Sequence, residues 1–374
     1  MRILITTDVV GGVWSYTEEL VDGLVARGHD LALVVLGGHP TAAQERWLSR
    51  HPGLPVSVLP CPLEWMPEPE PGLSESIEPL RRVVRRVSPD VVHLNQFYYG
   101  AYDLGRPSVV VGHSDVVSWW RHVKAEEPPD DAWFRRYREW VARGLQGASA
   151  CVAPTAWLAK QLESTYGATG IRVIYNARTP DRFRGRRRGP RRPVVVSVGR
   201  WWDDAKGARD LVEAAAILGG RPGIILAGPV IHPGGGKDFP IEAAGLEWRG
   251  ILDADELRRM LAEAMVYAAP SHYEPFGLAP LEAALAGCAL VLSDLPTFRE
   301  LWDGCARFYP AGDAEALARA IQDLIGDPAT CRALAEVART RALDRYSPAR
   351  MAREYELLYR EAMCSPSPRM VPAR

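Results

Sequence analysis

Between residues 2 and 37 the chain runs strand, helix, strand in a form that few folds accommodate. RILITT, residues 2–7, is a continuous run of the kind expected for a strand buried on both faces of a parallel sheet. SYTEELVDGLVARGHD follows, with Leu20, Leu24 and Val25 at helical spacing and Gly28 as a stop. DLALVVLG is then a second buried strand. This is a β-α-β unit, and the pair Gly11-Gly12 sits at the carboxyl end of its first strand.

The alternation recurs. DVVHL, PSVVVGHSD, ASACVAPT and IRVIYNA read as further strands, with IEPLRRVVRRV as an amphipathic helix ahead of the first of them. This first α/β domain spans residues 1–178. RFRGRRRGPRRP, residues 182–193, then holds seven arginines with Gly and Pro, and residues 179–193 read as an exposed connection. A second alternating run, 194–345, contains VVVSVG, GIILAG, VYAAPS and CALVLSD as at least four strands. Within it, Asp253 and Glu256 have capping-box spacing. SPARMAREYELLYREAM contains a closing helix, 346–363, and residues 364–374 read as a disordered tail. Two doubly wound domains in series are the expected architecture. Ligands of such sheets bind at the carboxyl ends of the strands, so the expected site is a cleft between the domains.

Bulk properties exclude several classes. At 374 residues the chain suits two domains, and its net charge of -1 supplies no global field toward nucleic acid or anionic membrane. The six cysteines form no C-x-x-C pair, which fits a reduced cytoplasmic protein better than a disulfide framework or zinc site. The N-terminal run is too short for a signal peptide, and no apolar stretch approaches a membrane span.

SHYEPFGLAPLEAALAGC, residues 271–288, carries the chemistry. Proline is tolerated only in the first turn of a helix, so Pro280 places the helix start near Leu278, with Gly277 at or just before its cap. Glu282 then lies roughly 6 Å along the axis from the start, and Glu274 sits in the loop just ahead. The amides around Phe276, Gly277 and Leu278 form the positive end of a helix dipole. One site thus offers carboxylates for hydroxyls and donors for an anion, which suits a nucleoside-diphosphate sugar. Glu282 is assigned to the ribose and Glu274 to the sugar ring. Two solvated glutamates near a helix start are the plain alternative. SVGRWWDDAKG shifts the balance, because Arg200 and Lys206 on one loop can clamp a diphosphate. Gly11-Gly12 allows close backbone approach to the same phosphates.

With these motifs the chain resembles the family 4 retaining glycosyltransferases of the two-domain type B (GT-B) fold. Glu274 and Glu282 match the E-x7-E motif, Arg200 to Lys206 the diphosphate loop, and GGVWSYTEEL the glycine loop. The resemblance implies two Rossmann-like domains facing across a cleft, with the C-terminal helix crossing back to the first. It also implies that His113, in VVVGHSD, faces the donor sugar, and that Gly228 and Ile251 line the nucleotide pocket. His93 reads as structural. The family's Asn-Gly-Val at the domain junction is Asn176-Ala177-Arg178 here, which implies a stiffer hinge. Asp203 and Asp204 read as solvated loop residues rather than metal ligands, and no metal or other cofactor is expected.

The expected function is hexosyl transfer from a nucleotide sugar, UDP-glucose first, to a hydroxyl of a small-molecule, glycan or lipid acceptor. Front-face displacement is the expected mechanism, with Glu274, Arg200, Lys206 and His113 as its catalytic groups. Trp14, Trp119 and Trp120 are candidate acceptor contacts, since aromatic faces stack on sugar rings. Arg81, Arg82, Arg85 and Arg86 suggest peripheral contact with anionic lipid, against the simpler reading of a solvated helix face. Nucleic acid is not an expected partner. The rival enzyme classes are a nucleotide-sugar epimerase and a sugar phosphorylase. A binding protein without activity is a third class, disfavoured by the joint presence of the five clamp and sugar-facing residues.

Overall fold

The computed structural model describes residues 1–184, 190–232 and 243–364. The chain forms two compact units. One contains Met1–Arg121, Glu126–Ala177 and the C-terminal stretch from Pro348; the other contains His122–Ala125 and Arg178–Ser347.

The first unit is built on a seven-stranded sheet of β1 (Arg2–Asp8), β2 (Asp30–Leu36), β3 (Val56–Leu59), β4 (Val91–Leu94), β5 (Ser108–Val111), β6 (Ala150–Ala153) and β7 (Arg172–Val173). Their order is β3-β2-β1-β4-β5-β6-β7, and neighbouring strands pair in parallel. Alternate side chains of β1 enter different cores, Leu4 on one face and Ile3 and Ile5 on the other. That two-sided burial is why Ile3, Leu4 and Ile5 are apolar in succession instead of at every second position.

The helix Pro348–Cys364 belongs to this unit. Its Met351, Ala352, Tyr355, Leu358 and Tyr359 are buried with Ile3, Ile5, Leu20 and Leu24, so the end of the chain covers one face of the sheet that its beginning starts. The amphipathic helix Gly72–Val87 turns Leu80, Val83 and Val84 inward. Three of its four arginines have local partners: Arg81 donates to Asp103 O, Arg85 to Glu78 and Arg86 to Ser57 Oγ.

A six-stranded sheet carries the second unit: β8 (Arg192–Val198), β9 (Ile224–Ala227), β10 (Leu246–Trp248), β11 (Ala264–Ala269), β12 (Ala289–Ser293) and β13 (Ala306–Tyr309). The order is β10-β9-β8-β11-β12-β13, with neighbours again parallel. The capping box forms as its spacing predicts. Asp253 Oδ1 accepts from Glu256 N at 2.8 Å and Glu256 Oε2 from Asp253 N at 2.9 Å.

The expected exposed connection, 179–193, holds more structure than its composition suggests. Pro180–Phe183 form a 3-10 turn with Phe183 buried. Arg191 Nη1 donates to Leu261 O at 3.0 Å and Ala264 O at 2.5 Å, filling carbonyls at a helix end. Residues 185–189 of that connection, and 365–374 of the expected tail, lie outside the described residues.

Candidate active site

Both sheets reverse their strand order once, and the candidate residues gather at those reversals. In the second sheet the reversal falls between β8 and β11, where ligands of doubly wound folds bind. The carboxyl end of β8 leads into Gly199, Arg200 and Lys206, and that of β11 into Glu274. Topology thus joins two loops that are distant in sequence.

Lys206 Nζ stands 2.6 Å from Glu274 Oε2, with both side chains less than one-fifth exposed. His272 N donates to Ala205 O at 2.8 Å and ties the two loops backbone to backbone. Only glycine fits at 207: its φ is +64° and an added Cβ would fall 1.9 Å from Pro270 O. Gly228 is constrained likewise. With φ +120°, its Cβ would stand 2.0 Å from the Gly199 carbonyl oxygen, so the turns after β8 and β9 touch through backbone.

Arg200 Nη2 donates to Asp203 Oδ2 at 2.9 Å, and its guanidinium lies 5.5 Å from the Trp202 ring. Asp203 Oδ1 accepts from Ala205 N at 3.1 Å, and Asp203 is buried. This corrects the expectation of two solvated aspartates. Asp204 is exposed, whereas Asp203 folds the loop after β8 and orients Arg200. A single-sequence reading misses this because acidic loop residues look alike until burial separates them.

The helix Leu278–Ala286 begins where Pro280 requires. Gly277 is its N-cap at φ 87°, without a side-chain cap, so the first-turn amides have no side-chain acceptor from the cap position. Glu282 lies in that helix, buried, and Arg178 Nε stands 2.8 Å from its Oε1. Burial first, then the charges of Glu274 and of Glu282, hold the Tyr267 phenol well above its ordinary range. One phenol on β11 therefore feels both carboxylates of the motif. The Phe276 side chain is buried with its ring 5.7 Å from that of Tyr346; only its backbone remains for a ligand. Ile251, an expected pocket residue, is 77% exposed, one residue after the Gly250 carbonyl that accepts from Gly228 N.

In the first unit the order reverses between β1 and β4. Gly11, exposed at φ 69°, caps a helix that starts at Gly12 without a side-chain cap. His113 follows β5, half-buried, and its Nε2 is 2.8 Å from Asn95 Oδ1. Asn95 Nδ2 donates to Thr6 O at 2.6 Å, so its Oδ1 is the acceptor for the imidazole. The same oxygen lies 3.1 Å from His93 Nε2, while His93 Nδ1 accepts from Tyr359. Each Nε2 carries the proton, and His113 Nδ1 is an acceptor. Burial, with His93 beside it, pushes the His113 imidazole down to about 3, and burial takes His93 to about 4. Both rings are neutral at physiological pH. His93 is structural, as expected, and Asn95 is an organising residue that sequence reasoning passed over.

Trp14 is buried edge-on to Trp47 at 5.9 Å, with Nε1 donating to Glu18. As packed core it presents no face to an acceptor, which corrects the expectation placed on it. Trp119 and Trp120 are half-buried on the helix Val116–Lys124, Trp120 packing edge-on against Phe134 at 5.2 Å. A second residue escaped the sequence reading. Glu64 is buried and accepts from Phe97 N at 3.0 Å and Tyr98 N at 2.6 Å. Burial raises its carboxyl to about 7, against those two hydrogen bonds. Among the described residues no group of three or more His, Cys, Asp and Glu could hold a metal ion, and no helix is long and apolar enough to cross a membrane.

Known proteins resemble this chain over most of its length. A Glycosyltransferase Family 4 model matches residues 10–182 and a Glycosyl transferases group 1 model matches residues 192–327. A glycogen synthase of Mycobacterium tuberculosis is 27% identical over 91% of this chain and 90% of its own length. An alpha-maltose-1-phosphate synthase of Mycolicibacterium smegmatis is 27% identical over 72% of this chain and 79% of its own. Among solved structures, the sucrose-phosphate synthase of Thermosynechococcus elongatus superposes with a TM-score of 0.76 at 20% identity, covering 96% of this chain and 98% of that one. Anabaena HepE, solved with UDP and glucose, gives 0.75 at 17% identity, covering 96% and 99%. At such identities the superpositions establish the fold.

Proposed function

Because the chain belongs to the family 4 glycosyltransferases and has their two-domain GT-B fold, we propose that it moves a hexosyl group from a nucleoside-diphosphate sugar to an acceptor hydroxyl with retention of configuration. UDP-glucose is the first donor to test. Solved complexes of HepE with UDP and with UDP-glucose support that choice, as do relatives named glycogen synthase and sucrose-phosphate synthase.

The observation that carries the reading is the Lys206–Glu274 pair at the β8/β11 reversal, held by backbone contacts beside Arg200. Lys206 and Arg200 meet the diphosphate, and the helix start at Leu278 adds amide donors, so these groups, in place of a metal ion, balance the leaving charge. Glu274 accepts from hydroxyls of the sugar and Glu282 from the ribose. The neutral His113 accepts a hydrogen bond from a sugar hydroxyl at Nδ1. As the bond from the anomeric carbon to the diphosphate oxygen breaks, the acceptor oxygen bonds to the same face of that carbon. The acceptor proton passes to the departing phosphate.

Thermal unfolding against a panel of nucleoside diphosphates and their sugars tests the donor site. A ligand at a hundred times its dissociation constant adds about 2.7 kcal/mol, so one nucleotide should stand out, and a flat panel would remove the basis for the clamp. Lys206→Ala should lower kcat/KM roughly a hundredfold, the scale of losing one preorganised electrostatic group. Full turnover with unchanged donor affinity would sink the assignment.

A further inference from the structure

Arg178 opens the long segment of the second unit. Its Nε lies 2.8 Å from Glu282 Oε1, and each side chain is 10% exposed. The guanidinium stands 5.2 Å from the Phe183 ring, and the backbone N donates to Tyr346 O at 3.3 Å. Arg178 is therefore fixed at three points, by the 3-10 turn, by Tyr346 and by the carboxylate.

A pair this buried is a poor investment in stability alone, since apolar residues of similar volume often serve the fold as well. Its distinctive effect is on Glu282. Arginine keeps its charge throughout the working pH range, and its rigid fork fixes the carboxylate it faces. A carboxylate offers about four lone-pair positions. The ion pair with Arg178 sets the rotamer of the carboxylate before any ligand arrives. The same positive charge offsets that of Glu282, which would otherwise repel a diphosphate bound near the helix start.

We propose that Arg178 is a positioning residue for nucleotide recognition: it holds Glu282 in the orientation that accepts hydrogen bonds from a ribose diol. This rests on the reading of Glu282 as the ribose acceptor. Arg178 touches no substrate itself and acts through Glu282.

The test is calorimetric binding of UDP and 2′-deoxy-UDP, with ADP and 2′-deoxy-ADP beside them, to the full chain and to Arg178→Ala, Arg178→Lys and Glu282→Gln. The full chain should prefer the ribonucleotide. Arg178→Ala should lose about tenfold or more in ribonucleotide affinity, the scale of a buried carboxylate left without its ion-pair partner. It should lose much less for the deoxy partner, so that the preference collapses. Arg178→Lys should restore part of it.

A structural role alone would weaken both nucleotides equally or lower only the melting temperature, and either result overturns the proposal. If Glu282→Gln removes the ribose preference while Arg178→Ala leaves it intact, the Arg178 proposal fails and the Glu282 reading stands. If Glu282→Gln also leaves the preference intact, the reading itself fails. Should Arg178→Ala not fold, Arg178→Lys carries the same comparison, and an unchanged preference there overturns the proposal.

Discussion

Glu64→Gln isolates the energetic cost of a carboxyl group buried in the first unit. Glu64 is only 6% exposed and its carboxyl is raised from 4.5 to about 7, by burial first and by the neighbouring Asp8 as a lesser cause, against two backbone hydrogen bonds. Its folded pKa lies above the unfolded one, so its contribution to stability is fully present below pH 4.5. That contribution is lost as pH rises through about 7. A separation of about 2.5 pH units corresponds to about 3 kcal/mol.

Glutamine has one carbonyl acceptor where the carboxyl group offers two oxygens to Phe97 and Tyr98, so the variant carries a constant penalty of about 1–3 kcal/mol. The penalty cancels when the two proteins are compared across pH. The assay is thermal unfolding of both from pH 4 to pH 8. Wild type should lose about 3 kcal/mol relative to Glu64→Gln over that range. At about 2–4 °C per kcal/mol for a domain of this size, the relative shift is roughly 6–12 °C. Parallel curves would refute the reasoning, because they would mean that Glu64 titrates alike in the folded and unfolded chain.

Asn95→Ala removes the shared acceptor of two imidazoles, releasing the tautomer and orientation of His113. It should lower kcat roughly a hundredfold, the effect of a small misplacement at a reacting centre, while donor binding to the second unit stays unchanged and Asn95→Asp recovers part of the rate. An unaltered kcat in steady-state assays would dismiss Asn95 as an organiser. Gly228→Ala forces a Cβ against the Gly199 carbonyl oxygen from a backbone conformation that L side chains rarely adopt. A loss of about 2 kcal/mol or more is expected in urea unfolding, and a wild-type profile would show that the turns after β8 and β9 are not in contact.

The doubly wound architecture was legible in the chain because its signal is local. A strand such as RILITT with consecutive apolar residues, an amphipathic helix after it and another apolar run report two-sided burial between Arg2 and Leu36. The start of the Leu278–Ala286 helix was legible for the same reason, since proline and glycine constrain only their own neighbourhoods. Edge strands β10 and β13 escaped notice because they are short and only partly buried, which erases the pattern.

Tertiary structure alone decided the partners. Lys206 meets Glu274 because the strand order reverses between β8 and β11. Arg178 meets Glu282 because a 3-10 turn packs beside the helix. Asp203 and Asp204 are adjacent and chemically identical, yet one is buried and the other solvated. Trp14 follows a glycine pair as a ligand-binding aromatic would, yet it packs against Trp47. Residue type supplies the charge or ring, whereas distance and burial depend on segments far away in the chain, and those decide which charge is paired and which ring is exposed.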